Sequence, residues 1–326
     1  MSSAYSAAFD WARRQVDGGR LPTAVLGIAD ADGVIALDAF GATNGRIARV
    51  EDHYPLFSVT KPLMGITAMR AIERGLLTPE TPLAAALPDF GANRDDTVRL
   101  RHLASHTSGI TEPPLDDAVP LRQSILTAGR DFAAGTVSRY STLAFEGIAA
   151  LTQHATGVEW DRAVQDWAAP IGANGFTLDP SVDPHAVIDA EAVGFRTDRF
   201  RALRSPGAGL LGRASDLLAV GAALLRGGDP VLSPPGLAMM LRPLTEGIPS
   251  LDPYPPERGS DWGFTWNLRR RAPGLIDRDV YGHGGWAGAE FWIHPTAGVV
   301  HVLLTNRAER PGVDGDELHN AVVSAI

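Results

Sequence analysis

Short apolar runs stand near both ends of the chain, and a helical spacing of apolar residues fills the middle. The N-terminal "MSSAYSAAFDWARRQVDGG" reads as an amphipathic helix carrying Phe9, Trp11 and Val16 and ending at Gly18-Gly19. "TAVLGIAD" and "GVIALDAFG" follow as two runs around Asp-Ala-Asp-Gly, a hairpin signal. In "TKPLMGITAMRAIERGLL", Leu63, Ile66, Met69 and Ile72 recur at helical spacing. From about 79 to 230, alanine-rich helical patterns alternate with Pro/Gly breaks, predicting helices at 120–129, 142–157, 159–168 and 214–227. A Pro-rich loop occupies 248–262. Beyond it, "GFTWNLRR", "VYGHGG", "AEFWIHP" and "GVVHVLLTN" are strand-like, and "DGDELHNAVVSAI" is a closing helix.

Strands at both ends with a helix-rich middle predict one α+β domain over residues 1–326. Its α/β part is expected over about 1–78 and 231–326, with a helical part over about 79–230. Short connections between the C-terminal strands favour an antiparallel sheet, and the cleft between the two parts is the natural place for a site. No internal repeat is visible.

Composition narrows the function. At 326 residues and 44% hydrophobic, the chain can bury a large core. A net charge of −9 argues against nucleic acid or an anionic membrane as partner. The absence of cysteine excludes disulfides and thiolate metal sites. Neither a secretion signal nor a run of 18 apolar residues is seen, so a cytoplasmic location is expected.

Of the 29 Lys+Arg residues one is lysine, Lys61, three positions after Ser58. On a helix these two side chains share a face, and a helix starting near Ser58, with Pro62 in its first turn, would favour an oxyanion beside the serine. A lysine activates a serine only when its surroundings let it lose a proton, and Leu56, Phe57, Val59, Leu63 and Met64 are apolar. A capping serine with a solvated lysine satisfies the same spacing. Tyr140 in "RYST" follows a turn, and a tyrosine beside a lysine can accept a proton when that cation stabilises its phenolate. In "YGHGGWAG", the glycines would let a strand edge approach a substrate, with an amide of Gly285 or Trp286 as oxyanion donor; a plain turn is the other reading. His102 and His106 in "HLASH" have metal-like spacing but lack the glutamate and third ligand of a zinc helix, so no metal is expected. No G-x-S-x-G, P-loop or dinucleotide fingerprint occurs, and no cofactor is implied. Of Trp262, Trp266, Trp286 and Trp292, Trp286 beside the glycines is the candidate ligand contact.

In this order, Ser58-Val-Thr-Lys61, Tyr140-Ser-Thr and His283-Gly-Gly resemble the S-x-x-K, Y-x-N and K/H-[TSG]-G motifs of the penicillin-recognising serine hydrolases. The likeness is strongest to the class C β-lactamase branch, with its D,D-peptidases and family VIII carboxylesterases. "VRLRHLASHTSGI", "GAGLLGRASDLLAVGAALLRGG" and "GHGGWAGAEFWIHPTAGVVHVLLTNR" extend it over most of the chain. The resemblance implies an antiparallel sheet flanked by helices, plus a helical domain, with the site between them. It further implies Ser58 as nucleophile, Lys61 as its proton partner and Tyr140 as second base. Backbone N–H groups of Ser58 and Trp286 would form the oxyanion hole. Thr142, His283, Gly284, Gly285 and Trp286 would contact substrate, with His283 lining the opposite wall of the cleft. An arginine could not replace Lys61, because a guanidinium does not give up its proton.

Two departures from the family pattern bear on substrate. Thr142 stands where β-lactamases carry an asparagine that binds a substrate amide. His283 stands where a lysine would hold a carboxylate, and histidine is mostly neutral at pH 7. A small-molecule ester or amide substrate is therefore expected, cleaved through an acyl-enzyme at Ser58. The alternatives are a β-lactamase, D,D-peptidase, D-amino-acid amidase or acyltransferase, and a non-catalytic binding or sensor protein on the same scaffold.

Overall fold

The computed structural model describes residues 3–92, 94–251, 253 and 260–325. Its strands are β1 (Thr23–Ala29), β2 (Val34–Thr43), β3 (Arg46–Ile47), β4 (Tyr54–Pro55), β5 (Leu211–Gly212), β6 (Asp261–Trp262), β7 (Asn267–Leu268), β8 (Tyr281–Gly284), β9 (Glu290–His294) and β10 (Val299–Leu304). The helices are α1 (Ser6–Asp17), α2 (Thr60–Glu73), α3 (Leu100–Ala104), α4 (Leu121–Thr127), α5 (Ala144–Thr156), α6 (Trp160–Ala168), α7 (Thr197–Leu203), α8 (Ala214–Leu225), α9 (Pro234–Met240) and α10 (Gly315–Val323). Among the described residues no helix is long and apolar enough to cross a membrane.

The two ends of the chain build one antiparallel sheet, in the order β3-β2-β1-β10-β9-β8-β7-β6. β1 pairs with β2 through the hairpin at Asp30–Gly33, where the Asp30 carboxylate accepts from the N–H groups of Asp32 and Gly33. On its other edge β1 pairs with β10, Val25 opposite Leu304. β1 is buried along its whole length because alternate side chains enter two different cores. Leu26 and Ile28 join Phe9 and Trp11 of α1 and Leu318 and Val322 of α10. Val25, with Val300 and Leu304 of β10, joins Leu217 and Leu218 of α8. Gly27 and Gly221 let α8 lie close to the sheet, since a β-carbon at either would strike Leu218 or Val300.

α8 therefore belongs to the sheet layer, although it falls within the span 79–230 expected to be wholly helical domain. The helices expected at 120–129, 142–157, 159–168 and 214–227 are present as α4, α5, α6 and α8, each trimmed by one to three residues at one end or both. The short helices α3, α7 and α9 carry too few turns to leave a periodic signal.

α2 is the junction. It is buried on nearly every face, as a helix apolar all round must be, and it packs against α5 and α6 on one side and β8 and α9 on the other. Gly65 makes the closest of these approaches: a β-carbon there would lie 1.8 Å from Thr265 Oγ1. Thr265 is itself fully buried, with a left-handed φ of 68°. Gly65→Ala is expected to destabilise the protein by ~1–3 kcal/mol through overpacking. Adding Thr265→Gly removes both the clash and the left-handed strain, so denaturant titration of the double variant recovers most of that loss.

Candidate active site

Ser58 sits on a single 3-10 turn, Phe57–Val59, that runs directly into α2. The preceding segment is pinned from two sides: β4 pairs with β5, and Leu56 N–H donates to Leu210 O. Phe57 turns the chain with a φ of 45°, a left-handed conformation unusual for a bulky residue. Its ring is held by Phe200, Phe195 and Trp286, at centroid distances of 5.0, 6.0 and 5.2 Å. Packing around Phe57 thus fixes the direction in which Ser58 points.

One helical turn on, Lys61 is completely buried. Its Nζ donates to Ser58 Oγ at 3.0 Å, to Thr142 Oγ1 at 3.1 Å and to Gly207 O at 2.9 Å. All three acceptors are neutral, and among the described residues no carboxylate lies within ion-pair distance. Burial consequently drives the Lys61 pKa down to about 7, opposed by the more distant charge of Glu112. The ammonium faces the ring of Tyr140 at 4.6 Å and that of Phe145 at 5.2 Å.

The Tyr140–Thr142 loop is held from behind by two residues that sequence reasoning did not place in the site. Glu112, an exposed residue whose carboxylate lies against the chain, accepts from Ser141 Oγ at 2.6 Å, Thr142 N–H at 2.8 Å and Leu143 N–H at 3.1 Å. Burial raises its pKa, while these donors and the Lys61 charge hold it down. The carboxylate thereby caps the start of α5. The available signal was a lone acid just after "HTSGI", with no other between Asp96 and Asp116. His106, weighed as a metal ligand, instead accepts from Ser141 N–H at Nδ1 (3.1 Å) and packs 4.4 Å from the Tyr140 ring. His102 accepts at Nδ1 from Arg99 N–H, 3.2 Å away. Gly207, the third acceptor for Lys61, lies in the small-residue stretch "SPGAG", and a side chain there would strike Thr142.

Across the cleft, β8 leads into the turn that bears Trp286. The N–H groups of Ser58 and Trp286 donate to no other group among the described residues, which leaves both available to an oxyanion. The Trp286 carbonyl is held by Arg310 at 3.1 Å. Gly285 approaches its own chain: a β-carbon would lie 2.5 Å from Leu56 O, so glycine lets the end of β8 close onto the segment before Ser58. His283 departs from its expected position on the cleft wall. Its ring is fully buried, 5.5 Å from Trp262 and 6.0 Å from Tyr140, with Nδ1–H donating to Gly284 O at 2.7 Å. Burial, then the Lys61 charge, push its pKa down to about 3.

Ser58, Tyr140, Thr142, Gly284, Gly285 and Trp286 line one end of a cavity of about 700 Å³. The other end is polar and includes Arg269, Glu290, Trp292, Arg310 and Asp316. From the 248–262 loop, Leu251 N–H donates to Ser138 O, and Pro253 and Ser260 reach the cavity. Residues 252 and 254–259 of this loop lie outside the described residues.

A family model described as Beta-lactamase matches residues 9–325. The chain is similar to Esterase EstB of Burkholderia gladioli, 26% identical over 94% of this chain and 91% of that protein. Among solved structures it is similar to EstCE1, a hydrolase with promiscuous acyltransferase activity, at 24% identity and TM-score 0.81 over 98% of each chain. A family VIII carboxylesterase is 20% identical with TM-score 0.79, over 100% of this chain and 98% of the other.

The lysine must be neutral to take the serine proton. The rate of Ser58 acylation by an activated ester is therefore expected to rise with pH along a limb centred near about 7. Glu112→Gln removes the charge that opposes the Lys61 shift, so stopped-flow pH profiles of that variant place the limb at lower pH. A limb unmoved, or moved upward, contradicts this electrostatic assignment.

Proposed function

The chain belongs to the beta-lactamase family, and from that premise we propose that it is a serine acyl hydrolase of the class C branch, cleaving carboxylic esters through an acyl-enzyme on Ser58. The observation that carries this reading is the 3.0 Å contact between Ser58 Oγ and a Lys61 with no carboxylate partner. A lysine so placed accepts a proton near neutral pH, and its arrival as an ammonium is met by three oxygen acceptors.

In the first step Ser58 Oγ attacks the ester carbonyl carbon and its proton passes to Lys61 Nζ. The carbonyl oxygen becomes an oxyanion facing the N–H groups of Ser58 and Trp286. Its collapse breaks the bond to the alkoxy group, which leaves with the proton from Lys61 as an alcohol. Water then attacks the acyl carbon and gives up its proton to Lys61, neutral again once the alcohol has left. The acid is released as the proton returns to Ser58 Oγ. Tyr140 turns its ring face to Lys61 Nζ, 4.6 Å from the centroid, and its part as second base rests on the family resemblance of the Tyr140-Ser-Thr segment.

Ester over β-lactam is supported by two neutralised positions. His283 is buried, uncharged and hydrogen-bonded to its own strand, so it offers no cation to a substrate carboxylate. Thr142 accepts from Lys61 at its hydroxyl and has its N–H bonded to Glu112, so it has no side-chain amide to offer a substrate. The ester chemistry named for Esterase EstB points the same way. Acyl transfer to an alcohol is the second reading, favoured by a cavity of about 700 Å³ that leaves space for an acceptor beyond Ser58.

Hydrolysis of p-nitrophenyl butyrate is expected to fall by about 10³-fold or more in Ser58→Ala, with nitrocefin cleaved slowly by the wild type. Intact mass after brief mixing should show one acyl group on the wild type and none on the variant. Undiminished turnover in Ser58→Ala removes the serine mechanism, and rapid nitrocefin cleavage overturns the preference for esters.

A further inference from the structure

Three of the nine histidines meet behind the polar end of the cavity. His294 comes from β9, His301 from β10 and His319 from α10, and all three are buried. One ring nitrogen from each can be chosen so that all lie within 4.8 Å of one another. His294 Nε2 and His301 Nδ1 are 3.3 Å apart. That is the spacing of two ligands on a tetrahedral metal with metal–nitrogen bonds of about 2.0 Å.

The surroundings suit a cation in most respects. Among the described residues, Nδ1 of His319 is buried without a hydrogen-bond partner. An orphaned buried nitrogen is costly, and a metal shared with the facing His294 Nε2 and His301 Nδ1 would satisfy it. Burial holds all three rings in the neutral, ligating form. A small cavity of about 70 Å³, lined by His301, His319, Glu290 and Arg310, leaves space for water beside the cluster. The opposing influence is Arg269, whose guanidinium is bonded to Asp316 at 2.9 Å.

We propose that His294, His301 and His319 bind one divalent transition metal, with Zn²⁺ the best match to three imidazoles and a water. The metal would fasten α10 to the β9–β10 hairpin, and through His319 it would stiffen the wall of the catalytic cavity. It lies apart from Ser58 and takes no part in ester cleavage.

The test uses the full chain, dialysed against chelator, reloaded with Zn²⁺ alone and passed through gel filtration. The expected result is one zinc retained per chain and a melting temperature raised by several degrees. X-ray absorption of the loaded wild type should show three imidazole nitrogens at about 2.0 Å. His319→Gln should lose the metal, while His154→Ala, altering an exposed histidine on α5, should keep it. Failure to retain zinc, retention undiminished in His319→Gln, or scattering from fewer than three imidazoles would each overturn the proposal. The absorption measurement on wild type decides the matter even if His319→Gln does not fold.

Discussion

A primary amine held out of water by neutral oxygens alone is the constraint around which this molecule is arranged. Lys61 draws its acceptors from three separate segments: its own helix at Ser58, the turn before α5 at Thr142, and the loop before β5 at Gly207. An ammonium surrounded this way has lost its hydration without gaining a counter-ion, so it holds its proton weakly. The same geometry that makes the lysine a base also joins the helical part to the sheet part. Loosening either part would return water to Lys61 and restore its ordinary basicity.

Glu112 and His106 show how far from the reacting atoms that geometry is maintained. Neither touches the nucleophile, yet together they bond the backbone of Ser141, Thr142 and Leu143 and press on the Tyr140 ring. A carboxylate at the start of α5 benefits from the helix dipole there. Its charge also bears on Lys61, which is wholly out of water. Position and proton affinity are thus set by the same residue.

Much of this was legible before any coordinates. The lone lysine three residues after Ser58 and the Tyr140 segment pointed to groups the fold does bring together, Lys61 Nζ lying 3.0 Å from Ser58 Oγ and 4.6 Å from the Tyr140 ring, because spacing along a helix is a local property. What could not be read was long-range. Glu112 meets residue 142, Lys61 meets residue 207, and α8 crosses back onto the sheet, all without a sequence period to announce them. Gly285 illustrates a subtler failure. Glycine there signalled a close approach correctly, but the partner is Leu56 of the same chain rather than a substrate. His283 lies on the expected strand but with its ring turned into the protein, a position a neutral imidazole bonded to its own strand can occupy.

The left-handed turn at Phe57 has an implication for how such a protein can change over generations. Phe57 is wedged against Trp286, which also forms the wall of the substrate cavity. Reshaping that wall to admit a different acyl group therefore pushes on the residue that aims the nucleophile. Selectivity and reactivity are mechanically geared here, so variants that widen the pocket from this side trade speed for scope. The polar side of the cavity is tied to that wall only through Arg310, which holds the Trp286 carbonyl, so changes at Arg269 or Asp316 bear less on the turn at Phe57.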